Sequence, residues 1–323
     1  MARKLDRRSF MGSSLAAAAC GVTLGAAEDG AAAAKGAKES KPAASLPTGK
    51  IGKVTVSRML LGGNLLTHYT HSRDLKYVYR LTAKYNTEAK IIETLAAAEQ
   101  LGINTLSIHN HRPAMKILQK YREKHGGKIQ WIVCPTSPVV PGMKEYRQEV
   151  DELIDMGTEA FYVWGVRGDP LAAQGKIKLL TEAVEIPKVH NVPSGVGGHD
   201  LNVIKQCEKH KVPTDFYIKT FHHHKYPTAP RPDELTGPYR EYPGYWCKDP
   251  KETADVMAKV TKPWIAFKVM AAGAIPPKSA FEYVFAHGAD HVLAGMFDFE
   301  LAEDTKICRE VLAKVKRPRP WAS

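Results

Sequence analysis

Trp264-Ile265-Ala266-Phe267-Lys268-Val269-Met270, then a stretch of helical period over 278–287, then His291-Val292-Leu293-Ala294-Gly295-Met296, reads as strand, helix, strand. The flanking runs are short and rich in β-branched and aromatic residues, and the segment between them is amphipathic at helical spacing. A strand, a crossover helix and a second strand make one βαβ unit of a parallel sheet. The same alternation continues outward from this unit. Strand-like runs fall at 57–66, 103–109, 129–135, 160–166, 188–199 (broken by Pro193) and 215–222, which with the two quoted makes eight. Helical stretches fall at 88–101, 114–124, 144–156, 175–184, 200–210, 251–259 and, after the last strand, 301–315. In the first of these Ile91, Ile92, Leu95, Ala98 and Leu101 share one face. Eight strands each followed by a helix predict an α/β fold of the closed (β/α)8 TIM-barrel type. An open doubly wound sheet is the alternative, but no G-x-G-x-x-G follows the first strand.

The N-terminus has a different character. Asp6-Arg7-Arg8-Ser9-Phe10-Met11 leads into an Ala-rich run to Ala27, the pattern of a twin-arginine secretion signal over residues 1–27. Gly25 and Ala27 suit cleavage before Glu28. The run is too short and too Ala-rich to predict a transmembrane span. Cys20 raises lipid anchoring as an alternative, but Ala17 stands where lipoprotein signals carry Leu. The expectation is therefore export by the twin-arginine translocation machinery, without an anchor, to the periplasm or medium. Residues 28–50, mostly Ala, Gly, Lys, Ser and Pro, read as a flexible linker. Residues 51–323 then form the barrel domain.

Cleavage would lower the formal charge from +12 to +9. The basic residues are scattered, and no zinc-knuckle, homeodomain or RNA-recognition pattern occurs, so nucleic acid is not an expected partner. Anionic polysaccharide or a membrane surface suits the charge better. Cys134, Cys207, Cys247 and Cys308 are far apart and read as core residues.

Barrel active sites are built at the C-terminal ends of strands. Two long connections leave those ends, 67–87 and 225–247. Their rings (Tyr69, Tyr77, Tyr79, Tyr85; Tyr226, Tyr239, Tyr242, Tyr245, Trp246) offer flat faces to a sugar, or simply pin the loops. The second strand ends His109-Asn110-His111-Arg112. Arg167 and Asp169 follow the fourth. His199-Asp200 ends the fifth, and His222-His223-His224-Lys225 ends the sixth, with Lys219 inside it. Lys268 lies on the seventh, and Asp298 and Glu300 follow the eighth. Imidazoles at three strand ends suggest a divalent metal held by His111, His199 and His222. His109, Arg167, Asp169, Lys219 and Lys268 are the candidate catalytic groups, able to act as acid and base with or without a metal. His190, His210, His287 and His291 lie on helices or strand starts and read as structural.

Several stretches resemble the aldo/keto reductase superfamily. The opening 52–64 is similar to its first hairpin and strand, 98–105 to its approach to the second strand, and 194–200 to its fifth-strand turn. The clearest matches are 267–275 and 288–296. The resemblance implies a TIM barrel that reduces carbonyls with a nicotinamide cofactor through a Tyr, Lys, Asp and His set. The expected positions carry other residues: Ser107 for the Asp, a place near Arg112 for the Tyr, Cys134-Pro135 for the Lys, and Trp164 for the His. The resemblance places the cofactor against Gly273, Met296, Glu303 and Asp304. Carboxylates at Asp298 and Glu300 disfavour the 2′-phosphate of NADP while leaving NAD open.

Three functions follow as expectations. The first is an exported enzyme on a carbohydrate, polyol or other small molecule, using the His, Lys and Asp groups, with metal assistance an option. The second is an oxidoreductase with tightly held NAD(H). The third is a non-catalytic binding protein on a degenerate barrel.

Overall fold

A computed structural model describes residues 45–236 and 245–323. The signal-like stretch with Cys20, most of the linker, and Tyr239 and Tyr242 lie outside the described residues. Chain order begins with a hairpin, β1 (Thr48–Ile51) and β2 (Val54–Ser57), paired antiparallel. Eight strands then close a barrel: β3 (Met59–Gly62), β4 (Thr105–His109), β5 (Gln130–Cys134), β6 (Ala160–Val163), β7 (Ser194–Gly198), β8 (Tyr217–Thr220), β9 (Trp264–Phe267) and β10 (His291–Ala294). Every neighbouring pair is parallel, and β10 returns to β3 through Val292–Met59, Leu293–Leu60 and Ala294–Leu61. The expected closed (β/α)8 barrel is the observed fold.

The helices are α1 (Tyr77–Tyr85), α2 (Glu88–Gln100), α3 (Arg112–His125), α4 (Lys144–Asp155), α5 (Gly165–Ala173), α6 (Ile177–Lys188), α7 (Leu201–Lys209), α8 (Pro250–Met257), α9 (Pro277–Ala286) and α10 (Leu301–Leu312). Their apolar faces form the outer core. In α2, for example, Ile91, Leu95 and Ala98 are buried at three- and four-residue spacing, and Thr87 caps the start by accepting from Lys90 N. No described helix is long and apolar enough to cross a membrane.

Three local expectations are corrected. The run at 188–199 is not one strand: Lys188 ends α6, and the strand starts only at Ser194, after Pro193 has broken the pattern. The connection 67–87 contains α1, whose buried side is narrow (only Thr82 is fully buried), so no broad apolar face announced it. Arg167 and Asp169 do follow the fourth barrel strand, but on α5, a helix that starts at Gly165, ahead of the expected helical stretch at 175–184.

Inside the barrel Leu60, Ile132, Ala160, Phe216, Ile218 and Ile265 form a second core. Ile51, Val54 and Val56 join it from the hairpin, so β1 and β2 plug the N-terminal end. Asn104, just before β4, fixes the plug: its Oδ1 accepts from Ser57 N at 2.8 Å and its Nδ2 donates to Thr55 O at 2.9 Å. In β7, Gly195 and Gly197 leave room for two rings. A Cβ there would meet Phe216 at 2.7 Å or Tyr162 at 2.9 Å. With one end plugged and the interior filled, the chemistry is confined to the C-terminal mouth.

Candidate active site

Glycines let α5 approach β7 at the mouth. A Cβ on Gly165 would stand 3.0 Å from His199 Nδ1, and one on Gly198 would stand 3.1 Å from Asp169 Oδ1. The close approach brings Asp169 against the end of β7. Its carboxylate accepts from His199 N at 3.0 Å, Asp200 N at 3.2 Å and His199 Nδ1–H at 3.0 Å. His199 Nε2 is therefore the acceptor end of the ring, and Lys268 Nζ lies 3.2 Å from it. The three side chains form one line, Asp169–His199–Lys268. Burial raises the Asp169 carboxyl to about 7, against the pull of the His199 N–H and of Lys219.

Lys268 follows β9 and has φ +55, a left-handed conformation uncommon for a residue with a side chain. It lies 5.1 Å from the Trp246 ring centroid and 5.7 Å from that of Phe267. Positive φ recurs around the mouth, at His68, His71 and Arg73 after β3 and at Ala271 and Ala272 after β9. Backbone strain of this kind gathers at functional sites.

The other candidates take separate positions. His109 stacks on Trp164 at 5.7 Å between centroids, with the planes 5° apart, and meets the His111 ring edge at 5.9 Å. Burial first, and then the neighbouring imidazole, lowers the His109 pKa. His111 caps α3, its Nδ1 accepting from Ala114 N. Arg167 donates to Thr136 O at 3.0 Å and braces the loop after β5. Asn64 Nδ2 donates to His71 Nε2 at 3.0 Å, and the His71 ring meets Tyr69 and Trp246 edgewise.

Two expected roles are corrected by hydrogen bonding. Lys219 is fully buried, and its ammonium donates to His199 O, Thr220 O and Thr220 Oγ1 at 2.8, 2.8 and 2.9 Å. All three protons are used, so it anchors the turns after β7 and β8 and is not free for proton transfer. His222 donates from Nδ1 to His223 O, and its Nε2 accepts from Trp246 N and Cys247 N. Burial lowers its pKa to about 3. With both nitrogens occupied it is a neutral strut for the 245–247 turn. The ligand set His111, His199 and His222 is therefore not assembled: no group of three metal-ligating side chains occurs among the described residues.

The positions expected to hold a nicotinamide dinucleotide do not fit its phosphates. Met296 is buried in the core, and Gly273 sits exposed at φ +83 in the loop after β9. The start of α10 carries Glu300, Glu303 and Asp304. Burial, then Glu300 and Glu303, raises Asp304 to about 6. Glu300 Oε2 already takes the Phe297 N–H at 2.8 Å, and nearby Lys90 is engaged by Glu93 and Asp298. Phosphate needs N–H and cationic donors, and this set is acidic.

Sequence reasoning missed Glu149 on α4. It accepts from Asn110 Nδ2 at 2.6 Å, Thr136 N at 2.8 Å and Ser137 N at 2.7 Å, tying together the loops after β4 and β5. Burial would raise its carboxyl, but the bonds from Ser137, Thr136 and Asn110 outweigh it and hold the pKa below the ordinary value. Its only sequence signal is an acid on the apolar face of α4, beside Tyr146, Val150 and Leu153.

No family model matches the chain, and no curated protein matches it. Solved structures do. A Pseudomonas aeruginosa protein described as an aldo-keto reductase superposes with a TM-score of 0.57 at 16% identity, over 82% of this chain and 95% of that one. An aldo-keto reductase from Bacillus halodurans, in its holo form, gives 0.53 at 12%, over 86% and 100%. A mutant of the protein Gox0644 in complex with NADPH gives 0.52 at 12%, over 84% and 90%. The shared feature is the closed eight-stranded parallel barrel, and the fold of this chain is similar to that of these solved aldo-keto reductases.

Proposed function

We propose that this protein is an exported enzyme that moves protons on a small polyhydroxylated carbonyl compound, a sugar or a relative of one. The observation that carries this is the Asp169–His199–Lys268 line at the mouth. His199, oriented by Asp169, is the general base, and Lys268 supplies the positive charge beside it. The half-buried Trp164 ring, stacked on His109, offers a ring wall for an apolar sugar face. Export rests on the twin-arginine pattern of residues 6–27.

The test is solvent-deuterium incorporation into a panel of hydroxyaldehydes and hydroxyketones, followed by proton NMR. His199→Gln is expected to slow incorporation by about a hundredfold or more. Equal rates for the wild type and His199→Gln on every compound the wild type exchanges would overturn the reading. For export, Arg7→Lys with Arg8→Lys in the full chain should retain the protein in the cytoplasm, and unchanged fractionation would contradict the address.

A further inference from the structure

Lys268 has more than charge to offer. It is a primary amine 3.2 Å from the acceptor nitrogen of an imidazole whose other nitrogen is fixed by a buried carboxylate. An ammonium is not a nucleophile until it loses a proton, and His199 Nε2 is positioned to take it. Lys219, the fully buried lysine of the mouth, has all three protons engaged by His199 O and Thr220. The φ of +55 at Lys268 is a second, independent sign. A non-glycine residue is held in this conformation at the end of a barrel strand, where reacting groups are presented.

We propose that Lys268 forms an imine with the carbonyl carbon of an aldehyde or ketone substrate, a deepening of the acid–base reading above that rests on the same line of residues. His199 Nε2 accepts a proton from the Lys268 ammonium. The freed amine pair forms a C–N bond to the carbonyl carbon, and the carbonyl π pair moves to oxygen, which takes one of the two protons on the now cationic nitrogen to give a neutral carbinolamine. The imidazolium then returns its proton to that hydroxyl. The C–O bond breaks, water leaves, and the nitrogen pair completes the C=N bond of a protonated imine. No electrons are gained or lost overall, and hydrolysis runs the same steps in reverse. Asp169 keeps the proton on Nδ1 throughout, so Nε2 stays the working end. The protonated imine withdraws electrons from the adjacent carbon and eases the proton removal assigned to His199.

The experiment traps the imine. The full chain is incubated at neutral pH with dihydroxyacetone and sodium cyanoborohydride, and labelled lysines are located by peptide mass mapping over time. Lys268 is expected to be labelled about tenfold or more faster than the exposed Lys251, which serves as the internal reference. His199→Gln should lower the Lys268 rate toward that of Lys251, and Lys268→Arg should remove the fast site. Wild-type protein alone decides the matter even if a variant fails to fold: equal labelling of Lys268 and Lys251 overturns the proposal. The two readings separate cleanly. Deuterium incorporation that needs His199, together with unlabelled Lys268, removes only the imine. Fast labelling of Lys268, together with deuterium incorporation indifferent to His199, removes only the acid–base reading.

Discussion

At Asp169 a buried carboxyl is raised to about 7 from an ordinary 3.8. Between those values the folded chain holds a proton that the unfolded chain has lost. The contribution of this group to stability is thus complete below about 4 and fades as pH rises toward 7. Asp169→Asn should flatten that part of the stability–pH curve, measured by denaturant melts at several pH values. Lys219 makes a different demand. Its three bonds go to two carbonyls and a hydroxyl inside the structure. Lys219→Met should cost on the order of 3 kcal/mol in urea unfolding, because those acceptors lose a charged donor. At this scale the sequence was only partly legible. It marked His199, Asp169 and Lys268 as polar groups at strand ends, but not that they touch one another. It could not separate Lys219 and His222 from them, since the difference lies wholly in which backbone groups they meet.

Among the elements, α5 matters most to the site. It starts at Gly165, directly after Trp164, and a Cβ there would press on the His199 ring at 3.0 Å. Gly165→Ala should displace the imidazole and reduce deuterium incorporation by about tenfold or more, with a smaller effect on the thermal midpoint. A loss of turnover no larger than expected from destabilisation would contradict this. Most strands were readable as apolar, β-branched or aromatic runs because burial on both sides demands apolar residues; β7, mostly glycine, was not. The elements that build the mouth were not. Helix α5 holds Gly165 and Gly168 where it packs closely on β7 and is interrupted by Pro170, and α1 buries too little to show a periodic face. The glycines of α5 and β7 do record the close approach, once it is known that a helix packs there.

On the scale of the whole molecule, the two ends of the barrel do different work. The N-terminal end is locked. Asp290, fully buried at the start of β10, accepts from Arg319 at 2.6 Å and Arg317 at 3.3 Å, and from the backbone N–H groups of Trp264 and Ala322 at 2.9 Å each. The Trp321 ring lies within 3.9 Å of the Arg58 guanidinium and 3.5 Å of that of Arg317. Asp290→Ala would strand two buried guanidiniums and should cost about 3–5 kcal/mol in global stability while leaving the mouth's geometry intact. This ionic and aromatic lock lies at one end of the barrel, while the Asp169–His199–Lys268 line occupies the other. The central claim, that Asp169, His199 and Lys268 act as one line, is most directly tested by the imidazole nitrogen chemical shifts of His199 in the wild type, Asp169→Asn and Lys268→Met. The wild-type ring is expected to carry a proton on Nδ1 that depends on Asp169, and its Nε2 signal is expected to move when Lys268 is replaced. A wild-type ring protonated on Nε2, or an Nε2 signal indifferent to Lys268, would contradict it.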